Sequence, residues 1–223
     1  MYFRQKWIYT TLMLVLSPVA AYSQMSFHEL PIGKTEYGIV FSPQTFFTTI
    51  GGRIDYGIDN DLKISFNGGI GFADDNYLGT QGGDVTPSPI IGMSILLIKP
   101  LGQTGFEYYI QGSSGAKFTS AVDRTTNETL VSSRDLSISV TGGIHKRIQT
   151  QSDWAIIPFF ALSYTNVWET LNNVQYEYRQ TDRDRKHGVT IGLEGEVSPK
   201  VSIIGSFTIQ ALDTIFSIGL NFH

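Results

Sequence analysis

The chain has 223 residues, which is enough for one all-β domain of the larger kind, and it contains no cysteine. Hydrophobic residues make up 41% of it and aromatic residues 13%, whereas charged residues make up only 16%, against about 25% in ordinary soluble domains. A net charge of -4 excludes the strongly basic surface of a nucleic-acid-binding protein. The lack of cysteine excludes disulfide crosslinks and a lipid-bearing cysteine.

The N-terminus has the three parts of a secretory signal peptide. Arg4 and Lys6 supply the positive region, residues 7–16 supply the apolar region, and Ala21–Ser23 fits a small-x-small cleavage site. We therefore predict that residues 1–23 are removed and that residues 24–223 form the mature domain. The alternative is an uncleaved membrane anchor, which is disfavoured because the apolar run is too short to span a bilayer.

From Thr35 onward, bulky apolar residues alternate with small or polar residues. In the segment LKISFNGGIGF, residues 62–72, Leu, Ile and Phe alternate with Lys63, Ser65 and Asn67. The same alternation recurs in residues 105–118, 136–148, 189–197, 201–210 and 214–222. A period of two places the two sets on opposite faces of a strand. The polar sets are rich in Gly, Ser and Thr rather than in Lys and Glu, which favours apolar faces toward lipid and polar faces toward a narrow interior.

Short and long links between the strands alternate along the chain, as they do in membrane barrels with short periplasmic turns and longer outer loops. The short links are residues 57–61, 99–104, 150–153 and 198–200, and the long links are residues 73–88, 120–135 and 169–187. Two further short outer links, 42–44 and 211–214, complete an all-β, antiparallel, up-and-down transmembrane barrel of about ten strands. Eight strands are the alternative. The last strand should close the ring against the first, near residues 35–41, because lipid cannot satisfy an open sheet edge.

The chain resembles the small bacterial outer-membrane β-barrels, the OmpA/OmpX-like group in its broad sense. The resemblance covers the mature chain and rests on the signal, the alternating strands and the terminal strand IFSIGLNFH, residues 215–223. In that group a C-terminal aromatic residue helps the barrel-assembly machinery to recognise the last strand, and here Phe222 is followed by His223. The resemblance implies an outer-membrane location, contact with membrane lipid and assembly by that machinery.

Ten charged or titratable residues fall on the inward face of the predicted strands, and their signs nearly balance. They are Glu36, Arg53, Asp55, Lys63, Glu107, Lys117, His145, Arg147, Glu194 and Glu196. Because an unpaired buried charge is costly, we expect them to form a paired network that fills the lumen. The alternative is a narrow ion path or a small-ligand cavity.

Aromatic residues cluster at the ends of the predicted strands, where lipid headgroups would lie. Six of them mark the two expected girdles: Tyr56, Tyr108, Trp154 and Phe222 near the short turns, and Tyr164 and Trp168 near the long links.

No catalytic motif, cofactor-binding motif or metal-ligand spacing is recognisable in the sequence. We therefore expect a non-enzymatic outer-membrane protein without a cofactor, whose surface loops contact extracellular partners. A narrow channel or small-ligand transporter is the second hypothesis. The third is a loop-borne hydrolase of the omptin type, suggested by the charged run Asp182–His187, although the omptin Asp-x-His is absent. A wide porin is disfavoured, because open lumens require about 16 strands.

Overall fold

The computed structural model describes residues 26–27, 30–44, 47–74, 83–150, 154–174, 176–210 and 213–223. The predicted signal peptide, residues 1–23, lies outside them. The described part forms twelve β-strands. They are β1 (Thr35–Ser42), β2 (Phe47–Asp59), β3 (Leu62–Ala73), β4 (Gly83–Val85), β5 (Ser88–Pro100), β6 (Glu107–Asp123), β7 (Thr129–His145), β8 (Ile148–Gln149), β9 (Ala155–Asn173), β10 (Tyr178–Ser198), β11 (Val201–Gln210) and β12 (Asp213–Phe222). Within this part of the chain, no helix is long and apolar enough to cross a membrane.

Ten of these strands form a closed antiparallel barrel, with β4 and β8 as short additions beside β6 and β9. The ring closes where β12 pairs with β1, from Tyr37 opposite Phe222 to Phe41 opposite Ile218. Closure gives both sheet edges a hydrogen-bonding partner, which a bilayer cannot supply. The predicted ten-stranded barrel and its closure are confirmed, and the eight-stranded alternative is wrong.

The two faces of the barrel differ because side chains of a strand point alternately outward and inward. On β1, Tyr37, Ile39 and Phe41 are exposed on the outside, whereas Glu36 and Val40 are buried inside. The same polarity continues around the ring. Outward apolar residues elsewhere on the ring include Ile91, Phe66, Leu162, Ile191 and Leu193. An apolar outside around a largely polar inside is the pattern of a transmembrane barrel.

Three links at one end of the barrel, those after β2, β5 and β10, agree with the predicted short turns. The predicted links of residues 150–153 and 73–88 lie partly outside the described residues. At the other end, residues 120–135 and 169–187 are not long irregular loops, and that prediction is wrong. Strand pairing continues through most of both segments, so that β6 and β7 extend to a turn at residues 124–128 and β9 and β10 to a turn at residues 174–177. The apolar alternation stops there because most side chains of these extensions are polar, with Ala121 and Val131 as buried exceptions, and not because the backbone ladder ends.

The turn between β6 and β7 is built on Asp123. Its Oδ1 accepts hydrogen bonds from the backbone N–H groups of Thr125, at 2.7 Å, and Thr126, at 2.9 Å. The backbone donors of Thr126 and Thr125 hold the pKa of Asp123 below its usual value. Asn127 completes the turn with a positive φ of 59°, a conformation that Asn tolerates better than most residues.

The extended hairpins are much longer than a membrane crossing needs. β10 has 21 residues, which at about 3.3 Å per residue gives about 69 Å of strand. At a tilt of about 40° this corresponds to a height of about 50 Å, twice the roughly 25 Å apolar band of such barrels. The β6–β7 and β9–β10 hairpins therefore project beyond the apolar zone, at the end opposite the chain termini.

Candidate functional site in the barrel lumen

The segment before β1 enters the barrel. The ring centroid of Phe27 lies 5.1 Å from that of Tyr109, 4.3 Å from that of His145 and 5.0 Å from that of Phe159. These three residues belong to β6, β7 and β9. The backbone of Phe27 also contacts Glu194 on β10. A residue that contacts inward side chains of four barrel strands lies in the lumen, where Phe27 is 4% exposed.

The Glu194 carboxylate binds this segment through the backbone of Phe27 and the side chain of Ser26. Its Oε2 accepts a hydrogen bond from the backbone N–H of Phe27 at 2.8 Å, and its Oε1 accepts one from the Oγ of Ser26 at 3.2 Å. Ser202 and Asn221, from β11 and β12, also donate to Oε1. Four donors thus satisfy a carboxylate that is completely buried, as a buried charge requires.

Lys63 completes the contacts to this segment from the opposite side of the peptide. Its Nζ donates to the carbonyl oxygen of Ser26 at 2.6 Å. The same ammonium group lies 4.0 Å from Oε2 of Glu36. One acidic and one basic side chain therefore bind the donor and the acceptor of the same peptide unit.

An apolar cluster surrounds the Phe27 ring on the inner wall. Its buried members are Phe27, Leu96, Tyr109, Ile157, Ala161 and Ile204, with Ile98 and Phe159 packed against them. The sequence reasoning expected a polar lumen and missed this cluster. Because β5 and β9 are apolar on both faces along much of their length, alternation alone did not mark their inward residues. A continuous apolar run, as opposed to an alternating one, was the available signal.

Four of the predicted lumenal charges come together near Glu194. Arg53 Nε lies 2.9 Å from Oδ1 of Asp55, and Arg53 Nη2 lies 3.7 Å from Oε1 of Glu36. Lys63 reaches the same Glu36 from β3. His223 was not on the predicted list, yet its Nδ1 lies 3.4 Å from Glu36 Oε1, because the last residue follows β12 back into the ring next to β1.

A second polar cluster lies farther toward the extended hairpins. Lys117 Nζ is 2.6 Å from Oδ2 of Asp135, and Ser133 Oγ lies within hydrogen-bonding distance of both Asp135, at 2.9 Å, and Glu169, at 3.3 Å. Lys117 also lies over the Phe47 ring, 5.0 Å from its centroid. Lys117 was predicted to face the lumen. Asp135 and Glu169 were assigned to loops, and they are buried because the strands continue past the predicted boundaries.

The remaining predicted charges lie at the rim near the chain termini. His145 is buried, with its Nδ1 3.6 Å from Oε2 of the partly exposed Glu107. Arg147 donates from Nη1 to Oε1 of the buried Glu196 at 2.8 Å. Its own side chain is 46% exposed, so its assignment to the inward strand face is wrong. β7 ends at His145, and Arg147 lies beyond that end.

The predicted girdle residues lie toward the expected ends of the strands. Tyr56, Trp154 and Phe222 are exposed near the end that carries the chain termini, and Tyr108 is partly exposed beside them. Toward the other end lie Tyr164, which is exposed, and Trp168, which is partly exposed. The Trp168 ring is covered by the guanidinium of Arg183 at 5.3 Å.

The rim also contains a shallow cleft. Phe27 and Leu30 line it together with the β2–β3 turn, residues 59–63, and with Ile98 and Glu107. One side of the N-terminal segment is therefore part of the surface of the barrel mouth. Among the described residues, no group of three or more His, Asp or Glu side chains could hold a metal ion.

No model of a known protein family matches the sequence, and no curated protein matches it significantly. Solved structures do match. The translocator domain of the autotransporter NalP from Neisseria meningitidis is 9% identical, with 86% of this chain and 90% of that chain covered and a TM-score of 0.52. The outer membrane protease OmpT from Escherichia coli is 10% identical, with 90% and 99% covered and a TM-score of 0.47. The N-terminal β-barrel domain of Pseudomonas aeruginosa OprF is 10% identical, with 86% and 97% covered and a TM-score of 0.38.

At these identities a likeness defines the fold alone, and of these three structures the NalP domain is the one with a TM-score above 0.5. The resemblance to the outer-membrane β-barrels that the sequence indicated is confirmed at the level of the fold. The chemistry of this chain has to be argued from its own lumen.

Proposed function

We propose that the protein is an integral outer-membrane barrel with a closed lumen, whose interior stabilises the wall and whose extended hairpins form its surface-exposed part. The observation that carries the proposal is the filling of the lumen. Phe27 and Ser26 occupy it at one level, between Glu194 and Lys63. The pair of Lys117 and Asp135 occupies it at another level.

The outer-membrane location is supported by the apolar outer face and by the predicted signal peptide. Contact with lipid accounts for the exposure of so many large apolar side chains, which a water-soluble barrel would bury. The predicted assembly by the barrel-assembly machinery belongs to the same proposal and rests on the terminal strand with Phe222.

A non-catalytic role fits the surroundings of the one histidine in the charged run. His187 lies on the outward face of β10 with its ring 5.1 Å from the Tyr164 ring, whereas its neighbour Lys186 is buried on the inward face. A hydrolase of the omptin type needs a histidine close to a carboxylate and to an attacking water. We therefore keep the extended hairpins as binding surfaces for extracellular partners.

The test is ion conductance of the purified protein in planar bilayers. A lumen filled by paired charges and by the N-terminal segment should give little or no steady conductance. The narrow-channel hypothesis instead requires reproducible small single-channel steps, whose ion selectivity changes in Glu107→Ala. Such steps would contradict the closed-lumen proposal and favour transport.

A further inference from the structure

We propose that the half of the lumen nearest the chain termini is a binding site for a short peptide with an aromatic side chain, and that the segment with Ser26 and Phe27 is its resident ligand. We call the described residues 26–27 and 30–31 the N-terminal plug. The inference rests on the closed lumen of the proposed function and adds what closes it: a segment that is bound as a ligand and can be displaced.

The site contains a pocket that binds an aromatic side chain. The Phe27 ring is enclosed by Tyr109, His145 and Phe159 at centroid distances between 4.3 and 5.1 Å. Leu96 and Ile204 belong to the same buried cluster. Aromatic rings at tilted angles and such distances attract one another beyond the effect of buried area. A smaller side chain at position 27 would leave a cavity in this wall.

The site also forms hydrogen bonds with a peptide backbone. Glu194 accepts from the N–H of Phe27, and Lys63 donates to the carbonyl of Ser26. These two groups belong to the same peptide bond, so the barrel binds both polar atoms of one peptide unit with two charged side chains. Charge-assisted hydrogen bonds of this kind are the stronger ones. Together with the ring pocket they specify an extended peptide with an aromatic residue.

The N-terminal plug is separable from the barrel wall. The ring closes through β12 and β1, and β1 begins only at Thr35. The plug leaves the wall at Gly33, whose φ of 76° makes the turn and whose N–H donates to the carbonyl of Gly57. Displacing the N-terminal plug therefore leaves the sheet ladder intact, unlike the removal of any strand.

One glycine offers a way to displace the plug without altering the pocket. A Cβ at Gly57 would lie 2.5 Å from the carbonyl oxygen of Pro31 and 2.7 Å from that of Leu30. Those are backbone atoms, so the plug has to move in Gly57→Ala. At Gly205, on β11, a Cβ would meet nothing within 4 Å. Gly205→Ala is therefore the matched control.

The first measurement is thiol labelling of the full mature chain. Because the chain has no cysteine, Ser26→Cys reports on the plug alone, and Asn60→Cys in the exposed β2–β3 turn gives the reference rate. We expect a water-soluble maleimide to label Ser26→Cys at least about tenfold more slowly than Asn60→Cys, because labelling has to wait for local opening. Adding Gly57→Ala should bring the rate close to the reference, whereas adding Gly205→Ala should leave it slow.

The second measurement supplies the plug in trans. The peptide QMSFHE, residues 24–29, lacks the two residues that Gly57→Ala pushes away. Gly57→Ala protein in detergent should bind a fluorescently labelled form of this peptide, measured by fluorescence anisotropy. The same peptide with Phe27→Ala should not. If Gly57→Ala fails to show the folded band on an unboiled gel, Glu194→Gln replaces it, since this change removes one of the two acceptor oxygens that hold the plug.

The outcomes separate this inference from the proposed function. Slow labelling of Ser26→Cys in both Gly57→Ala and Glu194→Gln would mean that the segment is a permanent part of the core. Equal binding of the two peptides would mean that the pocket does not recognise the aromatic ring. Either result overturns the inference while the closed lumen stands. Steady conductance of the unmodified protein would contradict the closed lumen itself.

Discussion

At the scale of single residues, buried carboxylates in the lumen are stabilised in two different ways. Glu194 is satisfied by four hydrogen-bond donors, whereas Asp135 depends on the ammonium group of Lys117. Asp135 and Glu169 face each other across β7 and β9 and share Ser133. Lys117 therefore offsets two neighbouring carboxylates, and its removal leaves them buried beside each other.

We predict that Lys117→Met lowers the free energy of unfolding by about 3–5 kcal/mol, because it leaves a buried carboxylate without its partner. The control is Lys99→Met. Lys99 pairs with Asp61 at the rim, where both side chains are more than 40% exposed, and exposed pairs contribute little. Urea unfolding of the barrel in lipid vesicles measures both variants. Equal losses would show that the Lys117 pair is solvated in the folded barrel.

The sequence predicts that Arg147 is buried in the lumen, and its exposure in the structure changes the expected effect of replacing it. A fully buried Arg147 would make Arg147→Ala as costly as the loss of Lys117. The Arg147 side chain is 46% exposed, so replacing it by Ala opens a path for water to the Glu196 carboxylate, which is buried in the intact barrel. The loss in Arg147→Ala should accordingly be clearly smaller than in Lys117→Met in the same unfolding experiment.

At the scale of elements, the β9–β10 hairpin consists of two parts with different environments. Up to the pair of Leu162 and Val189, its outward side chains are apolar, as lipid requires; from the pair of Tyr164 and His187 onward they include polar and charged groups, as in Asn166, Arg185 and Thr170. The register between β9 and β10 is continuous from Asn173 opposite Tyr178 to Ala155 opposite Glu196. The backbone ladder therefore does not distinguish the two parts, and only the side chains do.

We predict that replacing residues 171–180 by a two-residue Asn-Gly turn leaves the barrel folded, because the apolar zone and the lumenal clusters lie below the cut. A two-residue turn of this type suits the twist of the strands that it joins. The faster band on an unboiled gel should persist, and its melting temperature should stay close to that of the full chain. Loss of the band would show that the extension is needed for assembly.

At the scale of the whole molecule, closure and sidedness are linked. Because the number of barrel strands is even, the start of β1 and the end of β12 lie at the same end of the barrel, and these two strands pair with each other. The extended hairpins all lie at the opposite end. Because long links of such barrels lie outside the cell, the end with the N-terminal plug faces the periplasm in the proposed orientation.

We predict that cell fractionation finds the protein in the outer membrane. A single cysteine at Asn127 should react with an impermeant thiol reagent on intact cells, whereas one at Asn60 should not. Both positions are in exposed turns at opposite ends of the barrel, so a difference in labelling reports the side of the membrane and not the burial of the thiol. Labelling at Asn60 with none at Asn127 would invert the orientation. Recovery as a soluble periplasmic protein would contradict the membrane location.

By itself the sequence determined the number of barrel strands, the facing of the strands that alternate and the closure of the ring. All three depend on local features of the sequence. These are the alternation of side chains with a period of two, as in residues 62–72 and 214–222, and the lengths of the links between consecutive strands. It also placed Glu36, Arg53, Asp55, Lys63 and Glu194 on one side of their strands, since facing is a local property.

Only the tertiary structure decided what fills the lumen. Phe27 precedes the first strand and carries no periodic signal, and its neighbours Tyr109, His145 and Phe159 come together only when the ring closes. The inward charges Asp135 and Glu169 were hidden by polar residues on both faces of the extended strands. Alternation reports which way a side chain points; which groups meet across the lumen depends on the register and curvature of all ten strands at once.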